Sequence, residues 1–213
     1  MTKKPGHSYT SMKTYDICPL QYWHRRINKT YEEKHSPQIL EGWRVHEAFE
    51  KALKDGKPLP PDLTKYAPLL ETFEQPYFVE MQLAVDKDFH ACKYFDDRAR
   101  FRAVLDVVRI DEDSAKIIDW KTGKVREDPM QLQGNAAILM EHFPTVKRVS
   151  ACFIWLKYNK MTLVHTDQKE RDKIRQNLLE RMMEIEDDNE YVPTPSYMCR
   201  WCPAYADCEY AQR

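Results

Sequence analysis

Two neighbouring strand-like segments of this chain carry charged residues inside otherwise apolar sequence. The first contains Asp106, and the second ends in Asp119-Trp120-Lys121. Residues two apart on a strand face the same side, so Asp119 and Lys121 project together. The intervening Asp-Glu-Asp-Ser stretch at 111–114 is typical of a hairpin turn, which brings Asp106 alongside. The sequence therefore predicts two carboxylates and one ammonium at a single position on a β-sheet.

Such a group of side chains suits phosphodiester hydrolysis. Carboxylates hold a divalent cation, and a nearby ammonium stabilises charge that develops on the phosphate. The ordinary alternative for Asp119 and Lys121 is a surface ion pair on an edge strand. Ile117 and Ile118 before them indicate a buried strand, where a charged pair is costly unless it has a function.

Three further polar residues stand in positions that bear on this site. His46 lies between Trp43 and Phe49 on the apolar face of a helix, where it is either a packed core histidine or a metal ligand. Gln131 opens the helix that follows the Asp-x-Lys strand, and an ordinary polar first-turn residue is its alternative interpretation. Glu80 interrupts an apolar strand, so it is either a further residue of the site or an ordinary solvent-facing strand residue.

The remaining pattern predicts an α/β (α+β) fold, in which a central mixed β-sheet is flanked by helices. Helices are expected at 9–30, broken at Pro19, and at 37–55, 129–142 and 168–187; strands are expected at 77–85, 99–110, 115–121, 148–156 and 161–165. Ser36 is a candidate N-cap of the second helix, and Gly56 a stop signal. Ile39, Trp43, His46, Phe49 and Leu53 share one face of that helix.

The cysteines are distributed unevenly along the chain. Cys199, Cys202 and Cys208 crowd ten residues near the end of the sequence, and Cys18 stands far before them. This spacing allows three thiolates to face one centre and favours a metal site over disulfides, with Cys18 as the fourth ligand. A four-cysteine zinc site is one candidate for this metal site, and free thiols are the alternative to any metal site. The other two cysteines, at 92 and 152, are expected to be plain thiols.

These motifs together resemble the RecB-like exonuclease branch of the PD-(D/E)XK nuclease superfamily, which has a restriction-endonuclease-like core. The matching positions are Gly42 and His46 of its Gly-x-x-x-His helix, Asp106, the stretch Asp119-Trp120-Lys121-Thr122-Gly123, and Gln131. The cysteine spacing resembles the iron–sulfur subgroup, which includes AddB and the CRISPR-associated RecB-like exonucleases. The chain departs from the family pattern at Ala103, where glycine is frequent, and at Asn135, where tyrosine is usual.

The resemblance implies a role for each matched residue. The expected ligands of Mg²⁺ or Mn²⁺ are His46, Asp106, Asp119 and the backbone carbonyl of Trp120. The expected catalytic residues are Asp106, Asp119, Lys121 and Gln131. A 4Fe-4S cluster would be held by Cys18, Cys199, Cys202 and Cys208, with zinc as the alternative. The whole chain, 1–213, would form one nuclease domain with its core at about 36–190 and an iron–sulfur region built from 9–30 and 191–213.

The charge balance limits how this protein can contact nucleic acid. The formal net charge is −1, so DNA must be held by local patches, for which Arg25, Arg26, Lys29 and Gln131 are candidates. No run of 18 apolar residues and no apolar stretch after the first residues is present, so an intracellular, cytoplasmic protein is expected.

By resemblance, the expected activity is that of a metal-dependent DNA exonuclease. It would hydrolyse phosphodiester bonds at single-stranded DNA ends during DNA recombination, repair or replication. A structure-specific or flap endonuclease is one alternative, and a non-catalytic DNA-binding assembly subunit is another. The intact set of His46, Asp106, Asp119 and Lys121 argues against the second alternative.

Overall fold

A computed structural model describes residues 6–31, 35–126 and 128–213, and it contains one six-stranded sheet in the order β2-β1-β3-β4-β5-β6. The strands are β1 (Phe78–Val85), β2 (Ala91–Cys92), β3 (Phe101–Ile110), β4 (Ser114–Lys121), β5 (Arg148–Trp155) and β6 (Lys160–Asp167). The α-helices are α1 (Tyr9–Ile17), α2 (Pro19–Tyr22), α3 (Pro37–Asp55), α4 (Ala67–Leu70), α5 (Met130–His142) and α6 (Gln168–Asp187). A π-helical turn spans Trp23–Ile27, and 3-10 turns span Pro61–Tyr66 and Tyr197–Trp201. The α/β fold with a mixed sheet between helices is the fold expected from the sequence.

The strand pairing explains how the chain brings distant segments together. β1, β3 and β4 form an antiparallel meander, and β6 runs antiparallel to β5. β4 and β5 are parallel, so the chain must cross between them, and α5 makes that crossover. α5 packs against α6 on one face of the sheet, while α3 and α4 contribute to a second apolar cluster on the other face. β4 is consequently covered on both sides.

Local signals place the ends of α3 and α6 where the sequence predicts them. The Ser36 hydroxyl accepts a hydrogen bond from the Ile39 N–H, and Gly56 ends α3 in a left-handed conformation with φ 65°. Asp167 and Glu170 form a capping box at the start of α6. These contacts involve residues close in sequence, so the local order of residues determines them.

The apolar face predicted for α3 is buried only over its second half. Val45 and Phe49 are 3% and 0% exposed, but Ile39 and Trp43 are 46% and 55% exposed. Ile39 and Trp43 continue the predicted face but stay exposed, because the part of α3 in the apolar cluster on this side of the sheet starts at Val45. The first two turns of α3 extend past that cluster.

Other differences are confined to short elements. The two-residue strand β2 was not expected, since two residues give no alternating pattern. The first predicted helix breaks at Cys18, whose backbone is extended (φ −166°, ψ 114°), and continues as α2 with Pro19 at its first position. Among the described residues, no helix combines the length and apolar character needed to cross a membrane.

Candidate active site

α3 lies against the end of β4 and delivers its histidine to the sheet. His46 Nε2 is 2.9 Å from the carbonyl oxygen of Trp120, and His46 Nδ1 is 3.3 Å from Asp106 Oδ2. Gly42 permits this approach, because a Cβ added there would lie 3.2 Å from Thr122 Oγ1. The structure thus brings the predicted histidine, the first aspartate and the Trp120 carbonyl into direct contact.

Asp106 is buried, and its carboxylate substitutes for a backbone partner. The ladder between β3 and β4 pairs Val107 with Ile118 and does not continue past them. Beyond that pair, the Trp120 N–H donates to Asp106 Oδ2 at 2.8 Å. The backbone that presents the Trp120 carbonyl is therefore fixed by the same carboxylate that contacts His46.

Asp119 and Lys121 project together on the α5 face of β4, as alternation predicts. Lys121 Nζ is 2.5 Å from Asp119 Oδ1 and 4.7 Å from the centre of the Phe153 ring. Gln131, in the first turn of α5, donates from Nε2 to Asp119 Oδ2 at 3.0 Å. Asn135 follows one turn later and is 4% exposed, in the position where the resembled family has tyrosine.

Glu80 lies close to His46 and Asp106, although the sequence around it favoured no particular role for it. Ligand atoms of His46, Glu80 and Asp106 all lie within 4.8 Å of one another. On β1, Glu80 has φ 53°, and it lies with Asp106 between the paired residues Val79–Val107 and Met81–Leu105. Positive φ in a strand is unfavourable for a side chain with a Cβ. A charged residue within an apolar strand was the only sequence signal for it.

Negative charge exceeds positive charge at this site. Burial and the neighbouring Asp106 carboxylate raise the pKa of Glu80 to about 7. Burial raises the pKa of Asp119 to about 6, although the Lys121 ammonium opposes the shift. The pKa of His46 is also raised, because its contacts with Asp106 outweigh the effect of burial. A divalent cation would relieve this repulsion; the carboxylate and carbonyl oxygens suit Mg²⁺ or Mn²⁺, and the imidazole suits Mn²⁺ better than Mg²⁺. The site therefore fits Mg²⁺ or Mn²⁺ chemically.

The four predicted cysteine ligands meet around one small cavity. Cys18, Cys199, Cys202 and Cys208 all line it, together with apolar side chains that include Leu20. Cys18 Sγ accepts a hydrogen bond from the Thr194 N–H at 3.4 Å, and Cys199 Sγ accepts one from the Ser196 N–H at 3.3 Å. No three of the four sulfur atoms, all within the described residues, lie within 4.8 Å of one another.

The other two cysteines lie away from this cavity. Both Cys92 and Cys152 are buried, and both are free thiols. Burial raises the pKa of the Cys152 thiol to about 11, which keeps it protonated and unreactive.

The candidate basic contacts are arranged unevenly. Lys29 is exposed, whereas Arg25 and Arg26 are half-buried. Arg26 donates from Nη2 to the Gly6 carbonyl oxygen at 3.0 Å, so part of its guanidinium already serves the fold. Of the predicted DNA contacts, Gln131 is the one that contacts a residue of the acidic site.

Comparison with known proteins adds a family and a fold. The family profile described as the PD-(D/E)XK nuclease superfamily matches residues 63–209. No curated protein sequence matches the chain. The crystal structure of the protein SSO0001 is similar at 12% identity, covering 100% of this chain and 90% of that one, with a TM-score of 0.53. The crystal structure of a protein named "Putative exonuclease" from Eubacterium rectale is similar at 14% identity, covering 98% and 90%, with a TM-score of 0.56.

Proposed function

Because this chain belongs to the PD-(D/E)XK nuclease superfamily, we propose that it is a divalent-metal-dependent deoxyribonuclease that removes nucleotides from single-stranded DNA ends. The observation that carries the proposal is the contact of His46 with Asp106 and with the Trp120 carbonyl, which lies between Asp119 and Lys121, a paired carboxylate and ammonium on the same strand. The similarity to a protein named as an exonuclease, which at 14% identity shows the fold alone, is consistent with it.

Each side chain has a role that its contacts support. His46, Asp106, Asp119 and the Trp120 carbonyl would hold Mg²⁺ or Mn²⁺, with Glu80 near enough to His46 and Asp106 to contribute. When bound, the cation activates water and neutralises charge on the phosphate. The side chains of Lys121 and Gln131 would orient the groups that react at the cation.

Lys121 and Gln131 act on either side of Asp119. The Lys121 ammonium is aligned by Asp119 and the Phe153 ring, where it would orient the attacking water or stabilise charge on the transferring phosphoryl group. Gln131 donates to Asp119 and so holds that carboxylate in one orientation.

We also propose a 4Fe-4S cluster at Cys18, Cys199, Cys202 and Cys208. A tetrahedral zinc site with bonds of about 2.3 Å needs sulfur atoms about 3.8 Å apart. No three of these four described sulfur atoms lie within 4.8 Å of one another, a spacing that is compatible with a larger iron–sulfur unit. Two of them already accept backbone N–H hydrogen bonds, a common way of stabilising cluster thiolates. The cluster would connect residues 9–30 with 191–213 and act as a staple for the single nuclease domain.

The proposed setting is DNA recombination, repair or replication, where single-stranded ends are produced. Lys29, Arg25 and Arg26 are the basic residues that would contact phosphates outside the acidic site, without reading sequence. Gln131 is a further candidate contact, since it lies beside Asp119.

The test is a cleavage assay on matched substrates. Purified protein is incubated with Mg²⁺, Mn²⁺ or chelator and with linear single-stranded, circular single-stranded or duplex DNA. Digestion of the linear single strand alone, lost with chelator and in Asp119→Ala but kept in Glu112→Ala, is the expected result. Cleavage of the circle would replace the exonuclease proposal with an endonuclease. Binding without cleavage under any metal would make the protein a non-catalytic DNA-binding subunit.

A further inference from the structure

The start of α3 presents two large apolar side chains to solvent beside the acidic site. Ile39 and Trp43 are 46% and 55% exposed. Successive helix residues turn by about 100°, so Ile39 lies within about 20° and Trp43 within about 60° of His46 around the helix axis. The exposed pair therefore continues the stripe that carries the histidine towards Asp106 and Trp120.

This apolar stripe is close to the catalytic residues along the helix as well. Trp43 precedes His46 by three residues, which is about 4.5 Å of helical rise. Between Ile39 and Trp43 the helix passes near Thr122, which directly follows Lys121, since a Cβ on Gly42 would lie 3.2 Å from Thr122 Oγ1. The His35 ring packs on the Trp43 ring, with the ring centres 4.4 Å apart and an angle of 60° between the ring planes. Trp43 is thus at the rim of the site, with its ring supported on one side.

The chemistry of this rim fits a nucleobase. Members of a nuclease superfamily bind nucleic acid. When a phosphate lies at the acidic site, the base of the adjoining nucleotide must lie near the rim of that site. A tryptophan ring and an isoleucine side chain offer a flat apolar surface to the face of any base, regardless of sequence. A base inside a duplex is already stacked on both sides, so only an unpaired base can use this surface.

We propose that Trp43, with Ile39 beside it, stacks on an unpaired base next to the phosphate that is cleaved, and that this contact gives the enzyme its preference for single strands. The inference rests on the proposed nuclease function, because it places the substrate at that same acidic site. It names Trp43 as a residue that determines specificity, and it assigns no part of the bond-breaking step to it.

Binding can be measured separately from cleavage. In the Asp119→Asn background, fluorescence anisotropy is recorded with a labelled single-stranded oligonucleotide and with a blunt duplex. Adding Trp43→Ala should weaken single-strand binding about 5- to 100-fold, the loss typical of one base–aromatic stack, and leave duplex binding unchanged. Trp43→Phe should retain most of the affinity. Phe95→Ala is the matched control, since Phe95 is 83% exposed on the connection between β2 and β3.

Several results would overturn the inference. These are unchanged single-strand affinity in Trp43→Ala, an equal loss for the duplex, or no single-strand binding by the Asp119→Asn protein. A shift from dimer to monomer in Trp43→Ala, with DNA binding intact, would instead make the surface a contact between copies of the chain. If wild-type protein never cleaves DNA but Trp43 still controls single-strand binding, the nuclease proposal fails and the stacking surface stands.

Discussion

His46 and Trp120, which are 74 residues apart in sequence, meet with the imidazole Nε2 2.9 Å from the backbone carbonyl oxygen. This contact joins α3 to the end of β4, the strand that carries Asp119 and Lys121. The same Trp120 peptide region donates its N–H to Asp106, so three candidate metal-binding groups are held by one another before any cation binds. These contacts place the three groups next to one another, and a bound cation would replace the hydrogen bond between His46 and the Trp120 carbonyl with its own bonds.

Lys121 is expected to matter for the rate of cleavage and little for folding. Lys121→Ala removes the ammonium beside Asp119, and loss of one such electrostatic contact slows a reaction by about 10²- to 10³-fold. Single-turnover cleavage of linear DNA measures the effect. Lys116→Ala is the control, because Lys116 is exposed and faces the opposite side of β4. A wild-type cleavage rate in Lys121→Ala would show that Lys121 is not a catalytic residue.

Glu80 is expected to contribute to divalent-metal affinity. Glu80→Gln keeps the shape but removes a charge near His46 and Asp106, so Mn²⁺ binding should weaken by about 10-fold, as measured by calorimetric titration. The same change should stabilise the metal-free protein, because it relieves repulsion with Asp106. Glu47→Gln, an exposed substitution on α3, should change neither quantity. Equal Mn²⁺ affinity in wild type and Glu80→Gln would show that Glu80 is not a ligand.

The cysteine cavity is expected to make the protein coloured. Anaerobically purified protein should contain iron and absorb near about 400 nm, as iron–sulfur proteins do. Cys18→Ser should lose this absorbance because it removes one of the four thiolates, whereas Cys92→Ser should keep it. A colourless protein with stoichiometric zinc would refute the cluster and support the four-cysteine zinc alternative.

Phe49 is expected to stabilise the packing of α3 against the sheet. Its ring is fully buried and packs edge-on against Trp120 at 5.2 Å and Tyr66 at 5.7 Å. Phe49→Ala should lower the free energy of unfolding by about 3–5 kcal/mol through lost burial and a cavity. Denaturant unfolding measures this, with the exposed Phe95→Ala as a control near zero. A loss below about 1 kcal/mol would mean that α3 is not anchored through this ring.

His7 is expected to make stability depend on pH. Burial lowers the pKa of His7 below its usual 6.5, although Glu186, 3.2 Å away, opposes the shift. As the pH falls through about 6.5, the unfolded chain binds a proton that the folded protein does not, so the free energy of unfolding should decrease. Denaturant unfolding at several pH values between about 7.5 and 5 should show a smaller decrease in His7→Gln. Identical pH profiles would contradict this account.

Much of the local structure of this protein could be predicted from short-range sequence patterns. The Asp119-x-Lys121 spacing predicts that both side chains share a face of β4, and the structure places them 2.5 Å apart. The start of α6 is fixed by a local contact, the capping box of Asp167 and Glu170. In each case the interacting groups are within a few residues, so local backbone geometry dictates their meeting. The hairpin that sets β3 beside β4 is of the same kind.

Only the tertiary structure decided which distant residues join the site and which apolar residues remain outside the core. Glu80 lies near Asp106 because β1 pairs with β3, and nothing in its own neighbourhood of sequence indicates that pairing. Trp43 and Phe49 have similar positions in the helical pattern, yet only Phe49 is buried. The reason is that burial depends on where the sheet beneath α3 ends, and that boundary is set by strands encoded elsewhere in the chain.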